Sequence, residues 1–121
     1  MRSILDLLMK ALGDNFLDGE IRQPTRIWIT AKKEDIYSIV KILKDDFGIT
    51  RLVMITGLEM AHYFELLYHF ERQNEMQLYE IITIKIQVPR EDPSIESIVS
   101  VIPSALIYET ELRDLFGIEP K

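Results

Sequence analysis

Two stretches of strict alternation, separated by a short polar linker, constrain this chain more than any other feature. From Tyr63 to Glu71, Phe64, Leu66, Tyr68 and Phe70 fall on one side, with Glu65, His69 and Glu71 on the other. From Leu78 to Val88, Ile82, Ile84, Ile86 and Val88 oppose Thr83, Lys85 and Gln87. Successive side chains on a strand point to opposite faces, so a period of two with one apolar side marks a half-buried strand. The linker Arg72–Met76 is short enough to predict an antiparallel hairpin. One face of that hairpin is apolar and must be covered; the other is mixed and need not be.

The cover is found upstream. Ile36, Ile39, Val40, Leu43 and Phe47 recur at helical spacing, with Glu34 and Asp35 where the dipole of the first turn favours acids and Gly48 placed to end the helix. Near the start, Ile4, Leu5, Leu8, Met9 and Leu12 predict a short amphipathic helix, with Ser3 as its cap and Gly13 as its end. Asp14–Gln23 reads as a turn-rich connector, after which Pro24 introduces a β-branched strand, Thr25–Thr30. Arg51–Thr56 reads as a further strand, short and mostly apolar as a central or well-covered one would be. Beyond Pro89 and Pro93, Ser94 is placed to cap a brief helix through Ile95, Ile98, Val99 and Ile102, which Pro103 stops. Ser104 then caps a last helix, Ala105–Phe116, closed by Gly117. The expectation is one α+β domain over residues 1–121. It has about four strands in a mixed or antiparallel sheet, the main helix on one face and short C-terminal helices.

Composition excludes several functions. The 121 residues carry 20 acids against 14 bases, a net charge of −6, which argues against nucleic-acid binding. Cysteine is absent, so the chain supplies no disulfide, thiol nucleophile, cysteine-bound zinc or iron–sulfur ligand. Its glycines form no phosphate-binding motif, and there is no G-x-S-x-G elbow. No apolar run is long enough to span a bilayer. Asp6 and Lys10 break any signal-peptide core, which points to the cytoplasm.

The candidate chemistry is thin. His62 and His69, seven residues apart along an extended chain, lie at least about 20 Å from each other and cannot share a metal. The carboxylates Glu109, Glu111 and Asp114 cluster on the last helix. As chemistry they amount to a weak case for a carboxylate-dependent hydrolase using Glu109 and Asp114. As structure they read as a solvated flank in which Glu109 pairs with Arg113. Leu115, Phe116 and Ile118 lie just beyond them, and an acidic flank beside an aromatic anchor suits a docking surface.

The run Tyr108-Glu109-Thr110-Glu111-Leu112-Arg113-Asp114-Leu115-Phe116-Gly117-Ile118 resembles the signature W-Y-E-R-E-x-x-D-M/L-F-G-I of the 30-kDa subunit of respiratory complex I. Phe64–Phe70 is similar to the family's F-E-V-V-Y-H-L strand, and Ile84–Pro93 to its V-x-V-x-V-P-x-x-x-P stretch. Ile95–Pro103 resembles the S-I-x-x-x-x-P segment that precedes the signature. Thr110 stands where the family usually has Arg, and Ile107 where it has Trp. Typical relatives also continue past the position of Lys121 into an H-P-x-L-R-x-I-L segment. That difference favours a short form of the kind found in archaeal membrane-bound NiFe hydrogenase-type complexes.

The resemblance implies a non-catalytic scaffold within an NADH dehydrogenase-like or hydrogenase-like electron-transfer complex. Such a chain holds no cofactor; NAD and quinone, or NiFe, and iron–sulfur centres belong to partner subunits. Its partners would be the large hydrogenase-like subunit and the iron–sulfur small subunit. It would reach the cytoplasmic side of the membrane only through them. Tyr108, Glu109, Glu111, Asp114, Phe116, Gly117 and Ile118 are then the contact or fold-defining positions. The alternative is a stand-alone regulatory or ligand-binding α+β domain that dimerises through its sheet. Isolated from its partners, the subunit is open to homodimerising by the same face.

Overall fold

The predicted hairpin is the centre of the molecule. In this computed structural model, which describes residues 2–23, 25–74 and 76–121 without the side chains of Arg2, Ser3 and Gln23, β4 (Tyr63–Gln73) and β5 (Tyr79–Pro89) pair antiparallel along their whole length. Phe64, Leu66, Tyr68 and Phe70 lie buried beside Val88, Ile86, Ile84 and Ile82, their cross-strand partners. The turn is held by Asn74, whose side-chain oxygen accepts from the Met76 and Leu78 N–H groups. Ser3 lies inside the first helix, which already includes Arg2, and not at the expected cap position; the strand-initiating Pro24 and Glu75 of the linker lie outside the described residues.

β2 (Arg26–Ala31) runs parallel to β5, while β3 (Arg51–Glu59) runs antiparallel to β4. β2 and β3 therefore point the same way. The helix α2 (Ile36–Phe47) carries the chain from one to the other across the two strands of the hairpin. The predicted apolar stripe of α2 is buried at Ile36, Ile39, Val40 and Leu43, and Gly48 ends the helix at φ 65°. Glu34 and Asp35 occupy a 3-10 turn, Lys33–Asp35, that leads into it. α1 (Arg2–Leu12) buries Ile4, Leu5, Leu8 and Leu12 in the same core, leaving Met9 exposed.

The sheet has five strands in the order β1-β2-β5-β4-β3, one more than expected. The addition is β1 (Asp18–Gln23), antiparallel to β2, inside the segment read as a connector. Its sequence, Asp-Gly-Glu-Ile-Arg-Gln, has too few apolar residues to announce a strand, because it is an edge whose charges keep further strands away. Gly19 is required there: a Cβ would meet the Phe16 ring at 2.5 Å and Leu5 at 3.1 Å. The opposite edge is β3, which corrects the reading of Arg51–Thr56 as a central or well-covered strand: Leu52 to Leu58 contains no charge, yet Val53 and Met54 are exposed.

The brief helix expected after Ser94 does not form. Ser94–Ile95 is instead β6, paired parallel with β7 (Glu119–Pro120), and residues 98 to 102 turn tightly through bonds from the Val101 and Ile102 N–H groups to the Ile98 carbonyl. Ile95, Ile98 and Ile102 are buried all the same, so the apolar spacing reports burial and not a helix. Ser94 donates to the Asp92 carboxylate, which Lys33 also contacts at 2.8 Å. The Lys33 hydrogen bond is the main reason the Asp92 carboxyl stays below the usual carboxylate range.

The last helix, α3 (Ala105–Phe116), has the expected bounds, and Gly117 at φ 71° takes the left-handed position that ends it. Ser104 makes no side-chain capping bond. α3 lies over β3 on the apolar side of the sheet, where Gly57 lets it sit down. A Cβ at Gly57 would lie 2.5 Å from the Phe116 ring and 3.0 Å from Leu112. We expect Gly57→Val to lower stability by about 1–3 kcal/mol through overpacking. That cost should shrink in a Phe116→Ala background, a coupling that a double-mutant cycle by urea unfolding measures directly.

Candidate assembly helix and its surroundings

The segment from Tyr108 to Ile118 divides into residues that face inward and residues that face out. Ala105, Glu109 and Leu112 are buried and Phe116 is half-buried, at helical positions i, i+4, i+7 and i+11. Phe116 packs its ring 5.8 Å from that of Phe64. Tyr108 lies at the flank, where its hydroxyl donates to the carbonyl of Val53 at 2.8 Å, an atom of the open β3 edge. Ile118 is wholly buried, whereas Gly117, Glu111 and Asp114 are exposed.

Glu109 is the exception among the acids, at 2 % exposure. Its carboxylate accepts from Ser97 Oγ at 2.7 Å and from the Ile98 N–H at 2.9 Å. This corrects the expected Glu109–Arg113 pair: Arg113 instead lies 3.6 Å from Asp114. The reason is geometric, since Glu109 shares the inward face with Leu112 and finds its donors in the turn that replaces the missing helix. The Tyr68 hydroxyl, buried and without a hydrogen-bond partner among the described residues, lies close enough to feel the charge of Glu109. Burial, and then the charge of Glu109, push its pKa well above the ordinary tyrosine value. With Glu109 committed to structure and Asp114 in solvent, the two do not converge on a common site.

Large apolar side chains are also exposed along the helix. Leu106, Ile107 and Leu115 are 61 %, 64 % and 74 % exposed. With Pro103 and Ser104, the first two line a shallow groove at the start of the helix. Leu115 stands within the motif and Ile107 at its Trp position, and Leu106 precedes it.

The uncovered sheet face is a second surface. His69 sits at its centre, hydrogen-bonded through Nε2 to Thr56 at 3.1 Å and through Nδ1 to Thr83 at 2.9 Å, so one imidazole ties β3, β4 and β5 together. Lys85 pairs with Glu65 and Arg51 with Glu71, each at 3.3 Å, and the Arg22 guanidinium stacks 3.9 Å from the Trp28 ring. Its charges are largely satisfied within the chain. His62 is exposed beyond the start of β4. Among the described residues no three His, Cys, Asp or Glu side chains are placed to hold a metal ion.

These features belong to a known class of respiratory subunit. Residues 29–121 match the family model described as the respiratory-chain NADH dehydrogenase 30 Kd subunit, and the chain belongs to that family. It is 28% identical over 119 residues to the C-subunit of F(420)H(2) dehydrogenase from Methanosarcina mazei, covering 97% of this chain and 73% of that one. It is 36% identical over 96 residues to the C-subunit of NADH-quinone oxidoreductase from Dinoroseobacter shibae, covering 74% of this chain but 42% of that relative. The fold recurs in a chain of the membrane-bound sulfane sulfur reductase, an archaeal respiratory membrane complex, with a TM-score of 0.87 at 19% identity over 99% of this chain and 69% of that one. It recurs also in the trypsin-resistant fragment of Nqo5, with a TM-score of 0.79 at 22% identity over 100% of this chain and 96% of the fragment.

Two measurements check the buried groups. Glu109→Ala leaves the Ile98 N–H and the Ser97 hydroxyl without an acceptor and should cost about 2–4 kcal/mol, with Glu109→Gln milder because one carbonyl remains. His69 is held below its ordinary pKa of about 6.5, first by burial and then by the charge of Arg26. The unfolded chain thus binds a proton more readily than the folded one. Stability is fully present above pH ~6.5 and is lost as pH falls toward the folded-state value. Thermal melts at pH 7.5 and 5.5 should show the wild type losing more than His69→Gln.

Proposed function

We propose that this chain is a non-catalytic scaffold subunit of a complex I-like electron-transfer complex, docking to the large hydrogenase-like subunit beside the iron–sulfur small subunit. The observation that carries this reading is family membership joined to a helix that spends its buried residues on its own fold and still presents large apolar side chains outward. A chain without cysteine leaves iron–sulfur ligation to its partners, and NAD and quinone chemistry, or NiFe chemistry, is theirs as well. Among the described residues no helix is long and apolar enough to cross a membrane. Attachment through partners on the cytoplasmic side of the membrane is the arrangement we favour.

The test is a tagged chain recovered from solubilised membranes in mild detergent, with its partners identified by mass spectrometry. The expected result is co-purification with a large subunit and an iron–sulfur small subunit, and no dehydrogenase or hydrogenase turnover by the chain alone. Four metal-ligating cysteines in the large subunit would indicate a hydrogenase, and their absence a quinone-reducing complex. Recovery of the chain alone and soluble, with a thermal shift on adding a small molecule, would favour a free-standing ligand-binding domain instead.

A further inference from the structure

We infer that the β3 edge from Ile55 to Glu59 takes one extended segment of another chain as a sixth strand of the sheet, a segment free of acids and apolar on the side toward α3. The inference goes beyond the scaffold reading and does not depend on it. The direction of the unused backbone groups on β3 follows from one bond. The Met60 N–H donates to the Tyr63 carbonyl at 2.9 Å, so residue 60 faces β4. Bonding alternates along an antiparallel ladder, so Met54, Thr56 and Leu58 face β4 too. The N–H and C=O groups of Ile55, Gly57 and Glu59 therefore point away from the sheet. The hydrogen bonds among the described residues leave them open, and the Tyr108 hydroxyl covers only the Val53 carbonyl. No charge or proline interrupts Leu52–Leu58, and the one bulge of β3 lies before Ile55.

What fits this edge is decided by the helix above it. Tyr108, Glu111 and Leu115 stand at i, i+3 and i+7 and share one flank of α3. The bond from Tyr108 to Val53 shows that this flank overhangs the open edge. Exposed Leu115 thus roofs the position of an added strand, with an apolar side chain called for beneath it and an acid disfavoured beside Glu111. The same roof excludes a second copy of this chain. Paired strands lie about 4.8 Å apart, whereas packed helices need about 8–10 Å between their axes. Two copies joined β3 to β3 would drive their α3 helices into each other. The β1 edge of a second copy is no better, because α1 comes down on it at Gly19, where a Cβ would meet Leu5 at 3.1 Å. A lone strand carries no helix, and it alone fits under the roof.

The experiment follows the backbone amides of the full chain by NMR hydrogen exchange while a capped heptapeptide of alternating threonine and valine is added. At about ten times its Kd the peptide should slow exchange at Ile55, Gly57 and Glu59 by about tenfold. In an antiparallel addition the residues bonded to β3 turn their side chains toward α3, and these are the valines. N-methylation of the valines should then weaken binding by about tenfold, and N-methylation of the threonines should stay within about twofold. The reverse pattern would mean a parallel strand on the same edge and would also support the inference. Leu115→Asp should weaken binding about tenfold, and Lys44→Glu, on the solvated side of α2, should stay within about twofold. Protection only elsewhere in the chain, none at millimolar peptide, or equal binding by both N-methylated peptides overturns the inference. The scaffold reading is judged separately, by co-purification from membranes.

Discussion

Glu109 accepts hydrogen bonds from Ser97 and from the Ile98 backbone inside a largely apolar core. A carboxylate buried without such donors costs several kcal/mol, so the helix that carries it is stable only where a loop offers them. The position of α3 and the shape of the 97–102 turn are consequently one solution. With α3 fixed by that bond, Leu112 and Phe116 reach down onto Gly57, Tyr108 reaches the margin of β3, and the chain turns at Gly117 to bury Ile118. Tyr108, Glu109, Leu112, Phe116 and Ile118 of the family signature thus seat the helix, while its Glu111, Asp114 and Leu115 stay exposed.

What is legible in the sequence follows from how the physical signals are generated. Alternation in β4 and β5, and the helical stripes of α1, α2 and α3, arise because one side of each element faces a core, and all five elements form as their spacing predicts. β1 is hidden because an edge strand with solvent beyond it produces no such contrast, and its charges resemble those of a loop. The segment after Ser94 imitates a helix for a related reason. Ile95, Ile98 and Ile102 mark burial, and a tight turn packed under a helix buries residues at intervals that a helix would also produce. The role of Glu109 does not follow from spacing alone, because its donors, Ser97 and the Ile98 N–H, lie in that same turn.

The division of surfaces bears on how a chain with so little chemistry takes part in electron transfer. The bare face of the sheet has matched its charges internally and is braced by the Thr56–His69–Thr83 bridge across three strands. Arg26, which acts on His69 through its charge, is the exception. The outer side of α3 is the opposite, apolar and acidic with little to balance it. Among these surfaces, the unmet requirements concentrate on the helix that carries the family motif.

The two margins of the sheet are closed by different means. β1 is protected by its own composition, charge following charge along an edge that another strand would find unrewarding. β3 has an uncharged run from Leu52 to Leu58, and there the Tyr108 hydroxyl occupies one of the carbonyls that an added strand would seek. Growth of the sheet is thus barred permanently on one side and conditionally on the other. The closure at β3 is lent by a residue fifty-five positions away in sequence and lasts only while α3 stays seated.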